Sequence, residues 1–221
     1  MISAIAECNA VRRIIPEMII EASPFGDTAF LRLGQRDLKV YHSGWGKISS
    51  AAMMQYAIDH DRADLYVNLG TCGGFEGALE LGDIVLVERT FIYDIVELMG
   101  DLDIKSYYAS SLDLSWLPDP PPFPIRRGIL ASADSDLPPA KIEYLRSEGA
   151  IAGDWESGAL AWVARKNGAR LLILRGVSDL VNDKAGEAYD NLPLFEERTQ
   201  GIMQTLFSQL PHWLDSIEPK L

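Results

Sequence analysis

Asp154-Trp155-Glu156 and Arg175-Gly176-Val177-Ser178-Asp179 bracket a compact helix-then-strand unit. Asp154 is suited to cap the helix, with Glu156 in the first turn where the dipole favours a carboxylate. Leu160, Val163 and Ala164 form an apolar face at helical spacing. Arg165 and Lys166 fall in the last turn, and Asn167-Gly168 predicts a left-handed stop. Leu171-Leu172-Ile173-Leu174 is then a continuous apolar run, as in a strand covered on both faces. Such a strand delivers Arg175 and Asp179 to its carboxyl end, where open α/β sheets keep their ligand crevices. The unit predicts two acids and an arginine near one cleft.

To the N-terminal side, residues 2–6 predict a first strand and Asn9 to Ile20 a helix broken near Pro16. Leu31-Arg32-Leu33 and Leu38-Lys39-Val40-Tyr41, joined through Gly34, predict a hairpin. A helix is expected from Ile48 to Asp59, then a buried strand at Leu65-Tyr66-Val67-Asn68-Leu69. It runs into Gly70-Thr71-Cys72-Gly73-Gly74, read as a turn where backbone amides approach a ligand. Residues 81–87 and 128–133 predict strands, 139–147 a helix, and Phe195 to Leu214 a closing amphipathic helix. Residues 101–124, rich in proline, are expected to be irregular. Strands alternating with helices imply an α/β fold with a mostly parallel sheet covered on both faces, in a single domain over residues 1–221.

The chain carries 20 basic and 32 acidic side chains, a formal net charge of −12. That balance argues against nucleic acid and anionic membrane as partners. Two cysteines, Cys8 and Cys72, are too few for a disulfide framework and point to a reducing, cytoplasmic setting. The apolar N-terminus is short and lacks the basic flank of a signal peptide, and no run approaches the roughly 20 apolar residues that span a bilayer. His42, His60 and His212 are scattered without paired ligand spacing, so no metal and no cofactor is expected.

Gly44-Trp45-Gly46-Lys47 lacks the spacing of a P-loop, and Gly70 to Gly74 lacks that of a dinucleotide fingerprint. Taken jointly the pieces are more specific. Gly44-x-Gly46-Lys47, Asn68-x-Gly70-Thr71-Cys72-Gly73-Gly74, Gly82-Asp83, Asp154-Trp155-Glu156 and Arg175-x-x-Ser178-Asp179 occur in that order. This ordered set resembles the nucleoside phosphorylase/nucleosidase superfamily, most closely its 5'-methylthioadenosine/S-adenosylhomocysteine nucleosidases. The resemblance implies a three-layer α/β/α sandwich around a central mixed, mostly parallel and partly barrel-like sheet. It also implies a homodimer, with a small-molecule nucleoside and water as partners.

The resemblance implies roles residue by residue. Asp179 would protonate or hydrogen-bond N7 of the base, a task needing a raised pKa, with Ser178 orienting it. Glu156 would accept hydrogen bonds from the ribose 2'- and 3'-hydroxyls. Arg175 would help hold the attacking water and balance nearby carboxylates. Thr71 stands where the family has serine, and Cys72 and Gly73 would line the floor under the sugar. Asp154, Trp155 and Leu137 complete the expected substrate contacts, and Trp155 replaces the usual methionine.

Three departures bear on the reaction. The family's phosphorylases carry an arginine at the position of Asn68, so hydrolysis is favoured, although Arg12 and Arg13 offer an alternative phosphate site. The nucleosidases activate water with a glutamate after the first strand. Matching the helix places Asn9 there, and Glu7 takes the role only in a shifted register. Asp136 stands where the family stacks an aromatic side chain on the purine, and Phe195, Tyr189 or the proline-rich excursion is expected to line the 5' side. The alternatives are a phosphate-dependent phosphorylase, a futalosine-type hydrolase, or a nucleoside-binding protein that has lost its base at Asn9.

Overall fold

The computed structural model describes residues 1–34, 36–100 and 103–217. The chain begins with helix α1 (Ile5–Ile14) and an antiparallel sheet of β1 (Ile19–Ser23), β2 (Gly26–Leu33) and β3 (Arg36–His42). Next come α2 (Gly46–His60), β4 (Tyr66–Phe75), β5 (Ile84–Ile92), α3 (Ile104–Tyr108) and β6 (Ser110–Ser111). β7 (Arg126–Ser132), α4 (Ile142–Ser147), β8 (Ala150–Asp154), α5 (Ser157–Asn167), β9 (Leu171–Val181) and α6 (Leu192–Ser216) follow. Among the described residues, no helix is long and apolar enough to cross a membrane.

The second sheet closes on itself. β5, β7, β8, β4 and β9 pair in that order, and β9 returns to β5 through Ile84↔Gly176, Val85↔Arg175 and Leu86↔Leu174. The β5–β7, β7–β8 and β4–β9 junctions are parallel, and β4–β8 and β5–β9 are antiparallel. The mixed α/β sheet is therefore as expected, but the flat three-layer sandwich is not: five strands form a closed barrel. Closure removes the two free edges that an open sheet would expose.

Helices cover the barrel in pairs, α2 with α5 and α1 with α6. On one side Leu160, Val163 and Ala164 of α5 and Met53, Met54 and Ala57 of α2 pack on Val85, Leu130, Leu171 and Ile173. On the other, Ile202, Met203, Leu206, Phe207, Leu210 and Trp213 of α6 recur at helical spacing against Leu69, Leu86, Leu172 and Leu174. The apolar run of β9 is thus covered on both faces, alternate residues going to opposite helix pairs. Burial stabilises by about 1.5–3 kcal/mol per large apolar side chain, so these faces hold the helices to the barrel.

Several local expectations are corrected. Residues 2–6 form no strand; Ile2 makes a single bridge to His42, and the helix starts at Ile5. Glu7 lies in its first turn and accepts the Ser3 and Ala4 amides, satisfying donors just before the helix. The helix ends before Pro16, and Ile19 and Ile20 pair with Phe30 and Ala29 instead. Gly70 to Gly74 continue β4, held extended by β9 along its length and by β8 at Gly73 and Gly74. β9 likewise runs on to Val181, so Arg175 and Asp179 lie within the strand. Glu156 occupies the N-cap position of α5, while the Asp154 carboxylate accepts the Ser157 amide at 3.1 Å. The helix stops at Gly168, whose φ of +62° is left-handed as expected. Asp101 and Leu102, the start of the proline-rich excursion, lie outside the described residues; from Asp103 to Pro124 only α3 and β6 interrupt irregular chain.

Candidate active site

Residues of β4, β8 and β9 and the start of α1 line a cavity of about 270 Å³. Thr71, Cys72 and Gly73 come from β4, Asp154 from the end of β8, and Ser178 and Asp179 from β9. Trp155 and Glu156 follow β8, Leu137 follows β7, and Glu7 enters from α1. Those sequence-predicted residues therefore share one cavity. Arg175 is fully buried and stands behind it.

The Arg175 guanidinium organises the acids. Its Nη2 lies 2.8 Å from Asp154 Oδ2 and donates to Asn68 Oδ1 at 2.8 Å. Nε donates to Ser157 Oγ at 3.0 Å. Nη1 is 3.7 Å from Glu7 Oε1, and Nη2 is 3.9 Å from Glu156 Oε2. Burial works against this charge, but Asp154, Glu7 and Glu156 outweigh it and hold the guanidinium pKa up. The arrangement needs a glycine at position 70: a Cβ there would sit 2.1 Å from Arg175 Nη1 and 2.6 Å from Glu7 Oε1.

Glu7 is 1% exposed. Its Oε1 accepts the Thr71 amide at 2.7 Å and the Thr71 hydroxyl at 3.0 Å, while Oε2 accepts the Ala4 and Ser3 amides. Asn9 is half-buried and does not line the cavity. The early helix start therefore puts Glu7, not Asn9, in the cavity.

Glu156 Oε1 accepts the Gly46 amide at 3.1 Å, so the Gly44-Trp45-Gly46-Lys47 segment positions a carboxylate. Burial, and after it the charge of Asp154, push the Glu156 pKa up to about 8. Burial also raises that of Asp179, against a hydrogen bond from Ser178 and the charge of Arg198. Ser178 Oγ lies 3.0 Å from Asp179 Oδ1 and 3.3 Å from the Cys72 carbonyl. The β4–β9 register shifts between Cys72 and Gly73, leaving Ser178 without a partner; such bulges re-aim side chains beside sites. Arg198 Nη1 clamps the Ser178 carbonyl at 3.0 Å and Glu187 at 3.1 Å. Burial pushes the Cys72 thiol far up, which keeps it a protonated wall group and no nucleophile.

Other expectations divide. Tyr189 and Phe195 line the cavity, and the described residues of the proline-rich stretch do not; its Phe123 packs into the α6 side of the core. Arg12 pairs with Asp27 and Arg13 with Gln200, and neither lines the cavity. Lys47 is engaged by Asp94 and, at 3.5 Å, by Asp134. Sequence reasoning missed Trp45 on the wall, and Ser132 and Ser157, whose hydroxyls hold the Asp154 carboxylate. Trp45 was signalled only by its place between two glycines. No group of three or more His, Cys, Asp or Glu side chains among the described residues could hold a metal.

The cavity lining thus contains five carboxyl groups, from Glu7, Asp136, Asp154, Glu156 and Asp179, and among the described residues no lysine or arginine. Such a site can donate a proton from one acid, accept hydroxyls at another and orient water at a third.

Known proteins resemble this chain in sequence and in fold. The 5'-methylthioadenosine/S-adenosylhomocysteine nucleosidase of Geobacillus kaustophilus is 24% identical over 186 residues, covering 72% of this chain and 74% of that protein. The crystal structure of the Campylobacter jejuni nucleosidase superposes with a TM-score of 0.77 at 19% identity, over 98% of both chains. A Helicobacter pylori nucleosidase variant with 5'-methylthioadenosine in its active site gives 0.76 at 17% identity, over 96% of this chain and 97% of that one. The family pattern described as the phosphorylase superfamily matches residues 12–208, and the chain belongs to that superfamily.

Proposed function

We propose that this chain is a purine nucleoside N-ribohydrolase acting on 5'-methylthioadenosine and S-adenosylhomocysteine. The observation that carries the reading is the joint placement of Asp179, Glu156 and Glu7 in one cavity whose lining, among the described residues, holds no basic side chain. Asp179, its pKa raised by burial, donates a proton to N7 and turns the base into a better leaving group. Glu156 accepts the ribose hydroxyls. Glu7, aligned by Thr71, takes a proton from the attacking water, and the Thr71 hydroxyl offers that water a lone pair. Arg175 is a positioning residue, because its donors are engaged by protein groups. A phosphate ion would meet carboxylates here, and Asn68, where a phosphorylase would place a guanidinium, gives its carboxamide oxygen to Arg175.

The same reading takes residues 1–221 as one domain, places the protein in the cytoplasm and makes it a homodimer. Trp45, Ile48, Val96, Leu98 and Met99 are exposed, and Lys47 and Asp94 tie their two segments together beside the cavity. Incubation with each nucleoside, with and without phosphate, tests the reaction. Adenine release at a rate independent of phosphate is expected; a sugar 1-phosphate formed only with phosphate would replace this reading with a phosphorylase. Light scattering on the purified chain tests the dimer.

A further inference from the structure

Asp179 is bracketed along β9 by two residues of opposite charge that lie outside the barrel. Arg198 of α6 donates from Nη1 to the Ser178 carbonyl at 3.0 Å, on the N-terminal side of the acid. On the other side the Glu187 amide donates to the Leu180 carbonyl at 3.1 Å, next to the antiparallel bridge of Val181 with Gly186. The same Arg198 Nη1 lies 3.1 Å from Glu187 Oε2, so the two brackets are joined to each other. Among the described residues the acidic partner of Arg198 is therefore Glu187 and not Asp179.

A lone guanidinium beside a carboxyl group favours its ionised form, and a second carboxylate favours the protonated one. Burial acts most strongly on Asp179 and keeps its proton on. The Ser178 hydrogen bond and then Arg198 oppose it, while Glu187 and Asp136 act with burial. Tyr189, from the segment before α6, and Cys72, from β4, also feel the Asp179 charge; burial raises both, so they stay neutral. The Arg198 side chain is 25% exposed and that of Glu187 46%, so water screens the pair and its effect is modest. We infer that Arg198 and Glu187 are positioning residues, a cation that clamps the strand beside Asp179 and an anion that offsets its field on the acid. For its effect on rate the assignment rests on the nucleosidase reading, in which Asp179 gives up a proton.

Glu187→Gln removes the anion and keeps the backbone bond to Leu180. Arg198→Gln removes the cation and keeps a donor for the Ser178 carbonyl. Carbon NMR of the Asp179 carboxyl in the intact, aspartate-labelled chain, its signal identified by loss in Asp179→Asn, follows the acid without needing turnover. It is paired with kcat/KM for 5'-methylthioadenosine as a function of pH. The NMR midpoint and the alkaline limb should move to lower pH in Glu187→Gln and to higher pH in Arg198→Gln. The double variant should return close to the wild type. At a fixed pH on the limb, kcat/KM relative to each protein's own plateau should differ from wild type by about two- to fivefold, the size of an exposed ion pair. A purely structural role would lower the plateau and leave the midpoints where they are. Midpoints that coincide in all four proteins, or that move the same way in both single variants, would overturn the assignment. The expected midpoints with no hydrolysis of the nucleoside would overturn the nucleosidase reading alone.

Discussion

The Glu7 carboxylate accepts the Thr71 backbone amide at 2.7 Å across 64 residues of sequence. This bond joins the first helix to a barrel strand and sets the position of the acid in the cavity. Glu7→Gln keeps the shape but weakens the base, so kcat should fall about 10²–10⁴-fold with ligand binding retained. Asn9→Ala, outside the cavity, should leave kcat/KM within about twofold of wild type, as expected of a site remote from the chemistry. Steady-state kinetics on both variants checks this, and the opposite ranking would return the role to Asn9.

Arg175 is the charge on which three buried acids converge. Arg175→Met leaves Asp154, Glu7 and Glu156 without it, and breaking a buried pair costs about 3–5 kcal/mol. Denaturant unfolding should show a loss of that size. A variant as stable as the wild type would mean the acids are compensated elsewhere.

With Asp179 as the proposed proton donor, activity requires its neutral form. Burial raises its pKa, which keeps the proton on to higher pH, and kcat/KM should fall as pH rises through that raised value. In Asp179→Asn this alkaline limb should disappear, with kcat/KM lower by about 10²–10⁴-fold throughout. An unchanged pH profile in the variant would assign the limb to another group.

Glu156 couples stability to pH. Its pKa is raised from 4.5 to about 8, chiefly by burial and then by Asp154, so the folded chain holds this proton more tightly than the unfolded one. Its stabilising contribution is full below 4.5 and is lost as pH rises toward about 8. Thermal unfolding of the wild type should therefore weaken across that window more than unfolding of Glu156→Gln, which cannot ionise. Equal slopes for the two proteins would show that Glu156 does not titrate there. Nucleoside hydroxyls favour the ionised form, so ligand binding at neutral pH should also release a proton, measurable by calorimetry in buffers of different ionisation enthalpy.

The sequence by itself determined the helix-then-strand unit. The apolar face of Leu160, Val163 and Ala164, the stop at Gly168 and the two-sided burial of Leu171 to Leu174 follow from periodicity and local conformational preference. It also singled out the acids and the arginine, because unusual residue types in a fixed order survive as a pattern without any coordinates. Three matters belonged to the tertiary structure. Whether the sheet closes depends on the pairing of β5 with β9, a contact between residues about ninety apart that no local window encodes. Whether Gly70 to Gly74 turns or extends depends on neighbours: β8 and β9 supply the ladders, and the side chains of Arg175 and Glu7 fill the space the glycine at 70 leaves. Glu7 rather than Asn9 reaches the cavity because the helix starts at Ile5, where Thr71, Ser3 and Ala4 satisfy its carboxylate. Local chemistry sets which side chains can react, and long-range packing selects the ones that meet.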